Sequence, residues 1–122
     1  MADLVTEIHG VKTLVCAADG PLVDSEGVAV DLIAEAHGAG AALVALPVER
    51  LDPAFFQLRT GLAGAIAGKF ATYRMRLAVL GDVSGHLARS ETFASFVGET
   101  NRGSQLWFLP GRDELAARLS SG

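Results

Sequence analysis

Asp52, Asp82 and His86 are the residues of this chain best suited to acid–base chemistry, because they fall just beyond two short apolar runs that read as strands. In an open α/β sheet, ligands collect beyond the carboxyl ends of the strands. Glu49 and Arg50 stand beside Asp52, Ser84 stands beside His86, and Gly111, Arg112 and Asp113 follow a further run. Asp82 and His86 can serve as an acid–base pair, or hold a metal with one further ligand. The structural alternative is that Asp82 caps a turn and His86 is solvated. Their spacing matches no catalytic motif. Ser84-Gly85-His86 lacks the Gly-x-Ser-x-Gly of a nucleophile elbow. Gly81-Asp82-Val83-Ser84-Gly85 is neither a Walker loop nor a dinucleotide fingerprint. Cys16 is the only cysteine, which excludes an internal disulfide and leaves a thiolate zinc site short of ligands. No catalytic residue, metal or cofactor is assigned on this basis.

The elements that must position these residues are legible from pattern. Asp3 to Ile8 and Val11 to Ala17 are β-prone runs joined by His9-Gly10, a hairpin. Asp24 or Ser25 caps a first helix with Val28, Leu32, Ile33 and Ala36 toward the core, ended by Gly38 and Gly40. Ala42 to Leu46 is a central strand closed by Pro47, and Leu77 to Leu80 another, broken at Gly81. Ser90 caps a helix with Phe93, Phe96 and Val97 inward, ended by Gly103. Gln105 to Leu109 is a fifth strand, and Arg112 to Leu119 a last helix anchored by Leu115 and Leu119. The expected fold is α/β, in the order β-β-α-β-α-β-α-β-α, with a mixed central sheet and helices.

Composition bounds the rest. A chain of 122 residues is expected to form a single domain over 1–122. Half its residues are hydrophobic and 20% are charged, which excludes a disordered chain and points to strands covered on both faces or to an oligomer interface. The net charge of -4 argues against nucleic-acid binding, which needs a basic face. No signal peptide is visible, and the longest apolar run, Ala41 to Leu46, is far short of the roughly 20 residues of a membrane helix. A cytoplasmic protein without membrane or nucleic-acid partners is expected.

Residues 53–73 hold the least ordinary pattern. Asp52-Pro53 is a helix start, with a carboxylate for backbone N–H groups and a proline that has none to lose. On one uninterrupted helix, Phe55, Leu58, Leu62, Ile66, Phe70 and Tyr73 form one stripe, and Gly61, Gly64, Gly68 and Thr72 another almost opposite. Each interior glycine costs roughly 1 kcal/mol relative to alanine. Close approach by a helix of the same chain, a second copy or a ligand would offset that cost. The alternative is a break near Arg59-Thr60, with Thr60 capping a new helix whose N–H groups face an anion. Arg59, Lys69, Arg74 and Arg76 add positive charge around this segment, either as solvated side chains or, for Arg74 and Arg76, as phosphate holders.

The run from Leu51-Asp52-Pro53 through Arg59-Thr60-Gly61 to Gly64, with Lys69-Phe70, Tyr73 and Leu77 to Asp82, resembles a bacterial family known as domain of unknown function 4180. Phe93, Phe96, Asn101-Arg102-Gly103 and Leu106 to Pro110 carry the same resemblance, which brings no activity with it. The element order is also similar to that of STAS domains, which include bacterial anti-sigma factor antagonists. That resemblance implies a phospho-acceptor at the start of the second helix, where Thr60 stands in this chain. Leu58 and Arg59 replace the Asp and first Ser of that family's Asp-Ser-Ser-Gly motif. The expectation is a non-enzymatic regulatory or protein-binding module acting around helix 53–73, through Asp52, Arg59, Gly61, Gly64, Gly68, Asp82 and His86, as a homodimer or with a regulatory partner. The alternative is a small-molecule binder or enzyme using Asp52, Asp82 and His86.

Overall fold

A computed structural model describes residues 3–121. Five strands form one mixed sheet in the order β1-β2-β3-β4-β5. β1 (Leu4–Ile8) and β2 (Val11–Val15) are the expected hairpin, antiparallel with Leu4 opposite Val15 and Ile8 opposite Val11. β3 (Leu43–Pro47), β4 (Arg76–Leu80) and β5 (Leu106–Leu109) add in parallel. The parallel crossovers carry α1 (Glu26–Gly38), α2 (Leu62–Thr72) and the pair α3 (Ser84–Arg89) and α4 (Glu91–Arg102), and α5 (Arg112–Ser121) closes the chain.

Stepping always in one direction, crossovers of one hand must put their helices on the same side of the sheet. Strand alternation bears this out. Val44, Leu46, Leu77, Val79, Leu106 and Phe108 face the larger core, together with Leu32 and Ile33 of α1, Ile66 and Phe70 of α2, and Phe93 and Val97 of α4. Leu43, Ala45, Ala78 and Trp107 point the other way, where Leu115 of α5 covers them. Both faces of the central strands are therefore dry, which explains their unbroken apolar sequence. Ser25 and Ser90 cap α1 and α4 as expected, accepting from the N–H groups of Val28 and Phe93. α3 was not expected from the pattern. Six residues are too few to show a period, and Asp82 starts it by accepting the Ser84 N–H at 2.9 Å.

The single helix over 53–73 is not formed. The alternative break near Arg59-Thr60 is what occurs, although Gly61 rather than Thr60 takes the N-cap position of the new helix. Residues 53–60 instead make two 3-10 turns, Pro53–Phe56 and Leu58–Thr60, before α2 begins at Leu62. Asp52 does accept the Ala54 N–H at 2.9 Å, but the turn it opens stops at Gln57, whose backbone is extended. Two causes are visible. The Thr60 hydroxyl donates toward the carbonyls of Ala54 (2.7 Å) and Gln57 (2.8 Å), which an α-helix would need as acceptors. Gly61, with φ of 79°, takes a left-handed conformation that turns the chain into α2. The apolar stripe still reaches the core, with Phe55, Ile66 and Phe70 buried. Tyr73 does not, and its side chain is exposed.

The expectation that a helix of the same chain packs on the glycine stripe is also overturned. Outside their own helix, nothing lies within 4 Å of where a Cβ at Gly64 or Gly68 would stand. α2 turns Ala63, Ile66 and Phe70 inward and leaves the glycines outward. Gly81 at the end of β4 is the glycine that closeness does require: a Cβ there would stand 2.5 Å from Cγ1 of Val48, and φ is 145°.

Candidate functional site

The carboxyl ends of β3 and β4 lie side by side, with Pro47 opposite Leu80, so the segments that follow them meet. Residues 53–59 come from the crossover between β3 and β4, and 86–92 from the crossover between β4 and β5. Between them lies a half-open pocket of about 850 Å³, within the range of small-molecule sites. Pro53, Phe56 and Leu58 give it apolar walls. Gln57, Arg59, His86, Arg89, Ser90 and Thr92 supply the polar lining.

Its floor is an aromatic cluster. The His86 ring stacks on Phe56 with centroids 4.0 Å apart and planes 5° apart. Phe56 meets Phe93 edge-on at 5.6 Å, and Phe93 meets Phe108 at 5.8 Å. Burying these rings fixes the 3-10 segment on α4 and β5. Arg89 reaches Nδ1 of His86 at 3.2 Å. A guanidinium can only donate, so Nδ1 accepts and the imidazole proton sits on Nε2. Burial, and then the charge of Arg89, hold the His86 pKa below its usual 6.5. Both effects favour the neutral ring.

The remaining expected residues lie elsewhere in their contacts. Asp52 is a cap, and Asp82 is held below the usual carboxylate range by hydrogen bonds from Ser84. Of Asp52, Asp82 and His86, only His86 lines the pocket, so the three do not assemble one acid–base centre. Among the described residues no group of three His, Cys, Asp or Glu could hold a metal ion. Burial, with the nearby charge of Asp3, pushes the Cys16 thiol up to about 12. A thiol of that pKa is not a nucleophile at neutral pH. Arg76 is committed to the Ser104 carbonyl at 2.9 Å and lies over Trp107, and Arg74 is exposed at the end of α2. Among the described residues no helix is long and apolar enough to cross a membrane.

Thr60 is exposed next to the pocket wall. Besides its two carbonyl contacts, its Oγ1 accepts the Leu62 N–H at 3.3 Å, so one hydroxyl fastens residues 54–62. Thr60→Val removes that fastening. The expected result is a loss of about 1 kcal/mol in urea denaturation, with faster amide exchange at Leu62. Unchanged exchange there would show the hydroxyl to be idle.

The family described as a domain of unknown function (DUF4180) matches residues 8–119. The chain belongs to that family. No curated protein matches it, and no solved structure does. In this family member the match takes in every residue of the pocket. Arg89, Ser90 and Thr92 were missed as site residues by sequence reasoning, because they are distant from 53–59 along the chain. The adjacent Phe55-Phe56 pair was the available signal: on a path that buries both rings, the second faces a different neighbour from the first.

Proposed function

We propose that this chain is a small non-catalytic binding module of STAS-like architecture, and that its recognition surface is the pocket between residues 53–59 and 86–92. The observation that carries this reading is the pocket's lining: apolar walls with several polar groups converging on them, and no carboxylate among them. His86 is hydrogen-bonded to Arg89 rather than to a hydroxyl, and Ser90 Oγ serves the Phe93 N–H. Neither arrangement activates a nucleophile. Screening a library of small fragments by backbone amide NMR tests the reading. Shifts confined to residues 53–59 and 86–92 are expected. Shifts that map only elsewhere would overturn it.

A second reading, contact with another copy or with a regulatory protein, rests on the open space over Gly64 and Gly68. The two readings differ for the Gly64→Ala/Gly68→Ala variant. If that face meets only water, each alanine adds about 1 kcal/mol of helix stability, or about 2 kcal/mol together. Chemical denaturation with light scattering is the check. A less stable variant that also loses a dimer would favour the second reading.

A further inference from the structure

The protein carries a net charge of -4, yet the pocket collects two guanidiniums and no carboxylate. Arg59 makes only a long 3.5 Å contact to Gln57 Oε1, and Arg89 touches the His86 ring nitrogen. Among the described residues neither is paired with an acidic side chain, whereas Arg50, Lys69 and Arg102 all are. Two cations that line one cavity repel unless something anionic lies between them. An uncharged ligand would leave that repulsion in place. Apolar lining lies alongside, from Pro53, Leu58 and the small exposed part of Phe56, whose ring carries His86 on one face.

We infer that the pocket takes a small organic oxyanion: a phosphoryl or carboxylate head held by Arg59 and Arg89, with an apolar body against Leu58 and Pro53. The inference rests on the reading of this pocket as the recognition surface. It adds the chemical class of the occupant. Guanidinium groups suit this head because their N–H groups match the spacing of paired oxygens. The neutral His86 fits the same picture, since its Nε2–H is a donor while its Nδ1 keeps Arg89 in place.

The test uses phenyl phosphate, benzyl alcohol and inorganic phosphate as probes, with affinities from amide NMR titration of the full chain. Phenyl phosphate is expected to shift the signals of residues 57–59 and 86–92. It should bind at least tenfold more tightly than benzyl alcohol, which has the ring without the charge, and more tightly than inorganic phosphate. Arg59→Gln and Arg89→Gln should each weaken it about tenfold, with spectra otherwise those of the folded protein. Both side chains are exposed, so neither change threatens the fold. Equal binding of benzyl alcohol and phenyl phosphate would overturn the anion inference and leave the binding-module reading standing. Equal binding of inorganic phosphate would remove the apolar body from the inference. No shift at the pocket with these probes or any library fragment would defeat both readings.

Discussion

Arg50→Met is expected to cost about 3 to 5 kcal/mol of folding stability, measured by guanidinium denaturation. Arg50 is 4% exposed and lies in the connection between β3 and the pocket wall. Its guanidinium donates to the carbonyls of Pro21 (2.5 Å) and Ala17 (2.9 Å) and to Asp3 Oδ1 (3.3 Å). Methionine keeps much of the stem's volume but leaves two carbonyls and a carboxylate without that partner. The penalty comes from those orphaned groups more than from the lost pair. Val23 and Leu51 form a parallel bridge beside this cluster, so loosening it also frees the start of the 53–60 segment. A loss below about 1 kcal/mol would show that water replaces the guanidinium at little cost.

Phe55→Ala is expected to cost a similar amount, about 3 to 5 kcal/mol. The ring is fully buried, 5.4 Å from Phe56 and 6.2 Å from Phe108 between centroids. It is the side chain that pins the 3-10 segment to the sheet, because the backbone there makes only short turns. Denaturation gives the energy, and amide exchange gives the location. Protection should fall most at residues 53–60. A loss spread evenly over the whole core would mean that the segment is held by other contacts.

Much of the architecture was legible because it is written locally. His9-Gly10 between alternating runs, Ser25 and Ser90 before apolar periods, and Val44 or Leu77 in unbroken apolar strands each require one structure. The 53–60 segment was not legible in the same way. Phe55, Leu58 and Leu62 recur at three- and four-residue steps, which a helix and a 3-10 path over a core both satisfy. The choice was made by Thr60, whose hydroxyl claims the carbonyls of Ala54 and Gln57, and by the left-handed Gly61. The glycine stripe misled for a related reason. Spacing shows that Gly64 and Gly68 share a face with Thr72, but not whether anything stands opposite it.

The pocket itself lay beyond a reading along the chain. Arg59 and Arg89 are brought to one cavity only by the parallel pairing of β3 with β4. His86 was visible as a titratable group past a strand end, but its natural partner by sequence was Asp82. The structure gives it Phe56 and Arg89 instead. That exchange of partners leaves His86 on the floor of the pocket rather than in an acid–base pair.

The most direct test of that site is the pKa of His86, followed by NMR of its imidazole ring with and without phenyl phosphate. A histidine whose folded pKa is depressed favours folding fully above the unfolded value near 6.5, and part of that stability is lost as pH falls below it. The free protein should therefore show a value below 6.5. An oxyanion between Arg59 and Arg89 offsets the positive charge beside the ring and should move it upward. A free value at or above 6.5, or one that stays fixed when phenyl phosphate is saturating, would contradict the account.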